Sequence, residues 1–373
     1  MKRLLTVVLY VSLVLAVGVI GIYGGSFRLL PKQWWDAELR CDNCGYSDPR
    51  TAERLEAELK CADRFEGVKL LRVLEKTARC AECGAKLKLR FELDPIFMLR
   101  FMRQLAAFTI GASLALAGAV FQSVLRNPLA EPFTLGISGG SGVGAALAIV
   151  LHLNAYSFMA VPLCALTGAL VALGVVLWGV GGRRDGGETI LLGGVIVGTI
   201  FGSVLMYILS IADNDQLAGV TWWMLGDLQT VDPRLLSVAV ISLILATVLL
   251  RGLAGGLNAL AFGDTAAWNF GGDPVRLRKV LILIASLLAA ETVALAGMIG
   301  FVGLMIPHAL RRFCGCDHRR LLWKLVVFGG VFLMLCDLIS RVIDPIRELP
   351  IGVITSALGG SLFLYFLKAR WKR

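Results

Sequence analysis

The sequence is poor in charge and in histidine. Asp, Glu, Lys and Arg make up 17% of its 373 residues, against roughly 25% in ordinary soluble domains. That shortage excludes a disordered chain, a coiled coil and a soluble enzyme. Only three His occur, His152, His308 and His318, and no two stand at helical spacing, so paired haem ligation within the membrane has no residues to use. A GxxxxGK[ST] string is also missing. Any ATP is therefore bound by another subunit and no nucleotide by this chain. What is abundant is apolar: 57% hydrophobic residues and 42 Gly, with a mean hydropathy of +0.75. These values indicate a polytopic membrane protein. A net charge of +10 in such a chain marks cytoplasmic loops rather than a nucleic-acid partner.

Each crossing of a bilayer core needs about 20 apolar residues. Ten runs fit, at 4–23, 104–125, 133–151, 157–180, 188–211, 233–250, 279–297, 299–310, 321–340 and 350–367. The eighth is too short to cross alone and reads as a partial helix. With Lys2 and Arg3 inside, the inside segments hold 18 Lys and Arg, whereas outside segments hold 5 apart from one insert. The positive-inside rule demands this asymmetry, and it places both termini in the cytoplasm. The first run is followed by no small-residue cleavage site, so it is taken as a retained helix. The expected fold class is an all-α integral membrane protein with about ten transmembrane helices and a small extracytoplasmic cysteine-knuckle insert.

That insert is the polar stretch 24–97, with 14 Lys and Arg against 13 Asp and Glu. Five of the nine Cys lie in it. Cys41-x2-Cys44-Gly45 and Cys80-x2-Cys83-Gly84 have the spacing of two knuckles, each presenting two thiolates to one tetrahedral ion. Their text resembles zinc ribbons and rubredoxin, in which four thiolates hold zinc or iron. Cys61 is left over, and Ser47-Asp48-Pro49 is placed to cap a helix running to about Lys60. On the oxidising side of a membrane two disulfides are the competing arrangement; a structural zinc or iron is the preferred one.

Within the apolar core, Gly136, Gly140 and Gly144 in the third run and Gly194, Gly198 and Gly202 in the fifth recur every four residues. They predict smooth faces for close helix packing. Ala115-Leu116-Ala117-Gly118 recurs as Ala294-Leu295-Ala296-Gly297, each followed ten residues on by Pro, at Pro128 and Pro307. This is a faint echo of inverted-repeat transporters. Between the sixth and seventh runs, Gly263 and Gly271-Gly272 bracket Asp264 to Phe270, a segment able to form one or two helical turns with Trp268 and Phe270 displayed. Such a segment suits docking of a partner, or a solvated loop against the headgroups.

The strings RQLAAFTIGASLALAGAVFQSVLRNPLAEPFTLGISGGSGVGA, WWMLGDL, LNALAFGD, ALAGMIGFVGLMIPHALRRFCGCDHRRLL and CDLISRVIDPIRELPIGVITSALGG stand in this order. Together they resemble the FecCD-type permeases of ABC importers for ferric siderophores, haem and cobalamin. The resemblance spans about 98–373 plus the first run, which divides the chain into a first helix (1–23), the insert (24–97) and a permease core (98–373). It implies a non-enzymatic subunit in the cytoplasmic membrane that homodimerises, pairs with two cytoplasmic ATPase subunits and receives substrate from an extracytoplasmic binding protein. It also implies a coupling segment at about 258–275, with Gly263, Asp264, Trp268, Phe270 and Gly271, and outward-facing docking arginines at Arg100, Arg103 and Arg341. An Arg341–Asp337 helix pair is an alternative for the last. Met102, Met298 and Ser361 stand where the family usually has Pro, which predicts straighter helix ends there. Glu291 is a further departure, expected to be buried and hydrogen-bonded, and His308 is expected to be structural. Two other classes compete: a membrane electron-transfer protein with rubredoxin-like iron, and an ATP-independent transporter, which the coupling-like segment disfavours.

Overall fold

The computed structural model describes residues 2–23, 35–40, 88–93, 95–180, 187–229, 231–269, 271–343 and 348–371. The chain divides into two compact units, one of Phe27–Phe101 and one of the remainder. In the first, β1 (Trp35–Arg40) pairs antiparallel with β2 (Lys88–Leu93), in a register running from Trp35 opposite Leu93 to Arg40 opposite Lys88. All five insert cysteines, and the helix expected from Ser47 to Lys60, lie outside the described residues.

The larger unit is helical. Its elements are α1 (Lys2–Tyr23), α2 (Pro95–Val124, which starts in the smaller unit), α3 (Ile137–Val150), α4 (Ala160–Val180), α5 (Gly187–Ile211) and α6 (Asn214–Leu225). They are followed by α7 (Pro233–Gly252), α8 (Ala254–Phe262), α9 (Asp264–Asn269), α10 (Pro274–Ala296), α11 (Val302–Cys314), α12 (His318–Ile343) and α13 (Ile351–Trp371). Among the described residues, six helices are long and apolar enough to cross a membrane, namely α2, α4, α5, α7, α10 and α12, and α1, α3 and α13 contain shorter apolar stretches. Starts are fixed by local chemistry. Asp232 and Asp273 accept from backbone N–H groups of the turn that follows, each with Pro at the first helical position. Asp213 and Gln216 form a capping box on α6.

Two elements begin deep inside the bundle. A side chain on Gly187 at the start of α5 would meet Leu125 just past the end of α2, whereas one on Gly194 would meet Thr134 and Leu135 just before α3. Seven residues of helix rise about 10 Å, so the chain climbs back between α2 and α3 and α3 starts part-way across. The third run is thus shorter than expected. Helix α11 does the same from the other direction, because Gly118, well inside α2, lies against Gly303 in the first turn of α11 so closely that no Cβ fits. The glycine stripes are realised in part: Gly140 and Gly144 press on Cys164 and Gly168 of α4, but Gly202 faces open space. The sequence echo has no matching geometry, since Gly118 is mid-helix and Gly297, at φ 71°, ends α10.

Candidate functional site

At one end of the large unit, α8 and α9 form a corner. Gly263 turns it at φ 125° and Gly271 leaves it at φ 82°, conformations that favour Gly. Leu257, Leu260 and Ala267 anchor the corner by burial, while Trp268 is 60% and Phe262 is 86% exposed. Two aromatic side chains therefore project from a helix pair whose other face is fixed. Phe262 was not singled out from the sequence, since it reads there as one more residue of an apolar run. Phe270 lies outside the described residues. Asp264 is already engaged: its Oδ1 accepts from Arg278 Nη2 at 2.6 Å, and Arg278 is buried. Its role in this arrangement is to tie α9 to the first turns of α10. The Asn258 amide donates to Asp317 at 2.8 Å and, with the Arg319 N–H, holds that carboxyl below its ordinary range.

The other end carries a charged cluster around Asp337, whose side chain is 0% exposed. Arg103 Nε reaches Asp337 Oδ1 at 2.6 Å, Arg341 Nη2 reaches Oδ2 at 3.0 Å and the Gln104 amide donates to Oδ2 at 2.7 Å. Arg103 Nη1 also bonds Glu348 at 2.6 Å, Gln229 donates to the same carboxylate at 2.8 Å, and Arg341 donates to the Gly21 carbonyl at 2.8 Å. Arg103 and Arg341, expected as docking arginines, are therefore also bonded within the chain. Their side chains are 11% and 5% exposed, and both guanidiniums reach the same internal carboxylate, which they neutralise where water cannot. The helix pairing of Arg341 with Asp337 is the arrangement found. Arg100 is half-buried and has partners of its own.

Beside this cluster opens a cavity of about 850 Å³ lined by Arg103, His152, Trp222, Trp223, Asp227 and Glu348, among others. Helix α6 forms one wall. Its far end is clamped by Asp227 N–H donating to the Ala296 carbonyl at 2.9 Å and by Ile351 N–H donating to the Gly226 carbonyl at 3.3 Å. Its near end is tied to α3 by Gln216 donating to the Val150 carbonyl at 3.4 Å. The WWMLGDL string is legible in the sequence as a motif but not as a helix, because Asn214 to Gln216 interrupt the hydrophobicity. The lining comes from the segments expected to lie outside and from the adjoining ends of the apolar runs, so the fold gathers them around one opening.

Glu291 Oε1 accepts from Ser242 on α7 at 2.9 Å, a helix-to-helix bond that fits a structural place in the bundle. His308 packs edge-on against Phe363 with ring centroids 5.5 Å apart. Among the described residues there is no group of three His, Cys, Asp or Glu able to hold a metal ion; Cys41, Cys44, Cys80 and Cys83 are not among those residues.

Comparison with known proteins gives a consistent answer. The sequence pattern of the FecCD transport family matches residues 80–369. Vitamin B12 import system permease proteins BtuC, from Salmonella typhi and from Salmonella newport (strain SL254), are each 37% identical over 273 residues, covering 73% of this chain and 83% of theirs. Among solved structures, an inward-facing metal-chelate type ABC transporter superposes with a TM-score of 0.73 at 24% identity, over 96% of this chain and 97% of that one. PsaBC from Streptococcus pneumoniae in complex with Fab superposes at 0.50 and 18% identity, over 72% and 90%. These two establish likeness of fold.

Proposed function

The chain belongs to the FecCD transport family, and from that premise we propose that it carries an iron chelate, haem or a corrinoid through the cytoplasmic membrane as the permease subunit of an ABC importer. It is a transporter subunit and not an enzyme, with ATP hydrolysed by a separate subunit. The observation that carries the reading is the 37% identity that extends over 83% of vitamin B12 permeases. Family membership displaces the electron-transfer alternative, and the α8–α9 corner argues against ATP-independent transport.

In this reading two ATPase subunits seat on the α8–α9 corners of a homodimer, with Trp268, Phe262 and Phe270 as contact residues and Gly263, Asp264 and Gly271 setting the corner's shape. The partner's push is converted to alternating access. The binding protein docks at the opposite end, through Arg100, Arg103 and Arg341, the last two also bonded to Asp337 within the chain. Both termini are cytoplasmic and the insert 24–97 is extracytoplasmic. There Cys41, Cys44, Cys80 and Cys83 hold one structural zinc or iron. The strand register supports this, since Arg40, the residue before Cys41, is paired with Lys88, five residues after Cys83.

The test is uptake. The chain with its copurifying ATPase and binding protein, in proteoliposomes, is expected to accumulate labelled cyanocobalamin, haem or a ferric siderophore with ATP inside. ATP-dependent uptake of none of these classes defeats the substrate assignment.

A further inference from the structure

His318 opens α12 and is 2% exposed. Its ring joins two elements distant in sequence. Nε2 lies 2.8 Å from Ser123 Oγ in the last turn of α2, and Nδ1 lies 2.6 Å from Asn258 Oδ1 on α8. The His318 backbone N–H donates to the same Asn258 oxygen at 2.9 Å, while the Asn258 amide nitrogen is committed to Asp317. Arg311, in the last turn of α11, donates to Ser123 Oγ at 2.8 Å, to the Ala119 carbonyl at 3.1 Å and to Gln122 Oε1 at 3.1 Å.

Donor counting fixes the direction of these bonds. The Asn258 oxygen can only accept, so Nδ1 of His318 carries a proton, and with the Arg311 guanidinium on the same serine a second cation is disfavoured, so the ring is neutral and Nε2 accepts. The Ser123 hydroxyl is within reach of both Nε2 and the Ala119 carbonyl. It has one proton, and Nε2 needs it, because Arg311 already supplies the carbonyl. A continuous chain of directed bonds thus runs from Arg311 through Ser123 and His318 to Asn258 and Asp317. It ties α8 to the ends of α2, α11 and α12.

Helices α8 and α9 have 9 and 6 residues, too few to be stable alone, so their position is set by anchors. Apolar anchors such as Leu257 resist removal but permit sliding. Directed hydrogen bonds in a dry site do not permit it, because each loses its energy within a small displacement.

We propose that Asn258, His318 and Ser123 are positioning residues that lock the α8–α9 corner to the inner ends of α2, α11 and α12, so that a push on the corner moves these helices with it. The inference rests on the reading of that corner as the ATPase seat.

Two measurements test it. In the full chain in nanodiscs, hydrogen exchange across 254–269 is expected to rise about tenfold in Ser123→Ala and His318→Leu and to stay unchanged in Ser123→Thr, which keeps the hydroxyl. In complex with the copurifying ATPase, the first two variants are expected to retain the subunit but to lose about fivefold or more of the ATP turnover that the permease confers on it. Unchanged exchange in Ser123→Ala overturns the lock whatever the substrate proves to be. Raised exchange with wild-type turnover overturns transmission, and exchange raised as much in Ser123→Thr as in Ser123→Ala overturns the role of the hydroxyl. A wild-type chain that retains no ATPase defeats the permease reading instead, and is recognised because it leaves the exchange result intact.

Discussion

Asp337 shows how one buried carboxylate organises its surroundings. Two guanidiniums and an amide converge on it, and removing it leaves those donors buried without their acceptor. Loss of one partner from a buried ionic group costs about 3–5 kcal/mol. Asp337→Ala is therefore expected to lower the thermal midpoint of the purified chain by many degrees, whereas Glu348→Gln, at a side chain 25% exposed, is expected to shift it little. Equal melting of Asp337→Ala and wild type would show that water reaches the cluster. The Arg341–Asp337 pair lies one helical turn apart, whereas Arg103 and Gln104 stand more than two hundred residues from Asp337 and only folding brings them to it.

Elements are where Pro and Gly decide most. The missing Pro at Met102 and Ser361 leave α2 and α13 continuous through those positions, as the sequence implies. At Met298 the expected straightening does not occur, because Gly297 ends α10 in any case. For the α8–α9 corner, replacing Asp264 to Asn269 by a Gly/Ser stretch is expected to leave the chain inserted but unable to stimulate its ATPase, read as ATP turnover of the copurified complex. Wild-type turnover in that variant would remove the corner from the coupling path. For the insert, the proposed structural ion would supply folding free energy that a small module with few apolar residues lacks. Elemental analysis is expected to give about one zinc or iron per chain, lost in Cys41→Ser and retained in Cys61→Ser. Knuckle thiols that resist alkylation until reductant is added, with no metal present, would instead establish disulfides.

For the whole molecule, charge asymmetry and the gathering of the expected outer segments around one cavity make a joint prediction. In intact spheroplasts stripped of metal and reduced, a membrane-impermeant thiol reagent is expected to label Cys41 or Cys83 at once. Cys316, exposed in the turn before α12, should be labelled only after lysis. The reverse pattern would invert the topology and with it the sides assigned to ATPase and binding protein.

The sequence by itself determined class, the approximate limits of most apolar elements, the Gly-bracketed corner and, through ordered motifs, the family. Each of these depends on composition or on residues near one another along the chain, where hydropathy and backbone preference act directly. The tertiary structure alone decided depth and pairing. Helices α3 and α11 begin inside the bundle because Gly194 and Gly118 admit another backbone so closely, and a hydropathy run does not record depth. Likewise Arg103 reaches Asp337 only through the fold: the Arg341–Asp337 pair is set by helical spacing along the chain, but a partner 234 residues away is set by three dimensions.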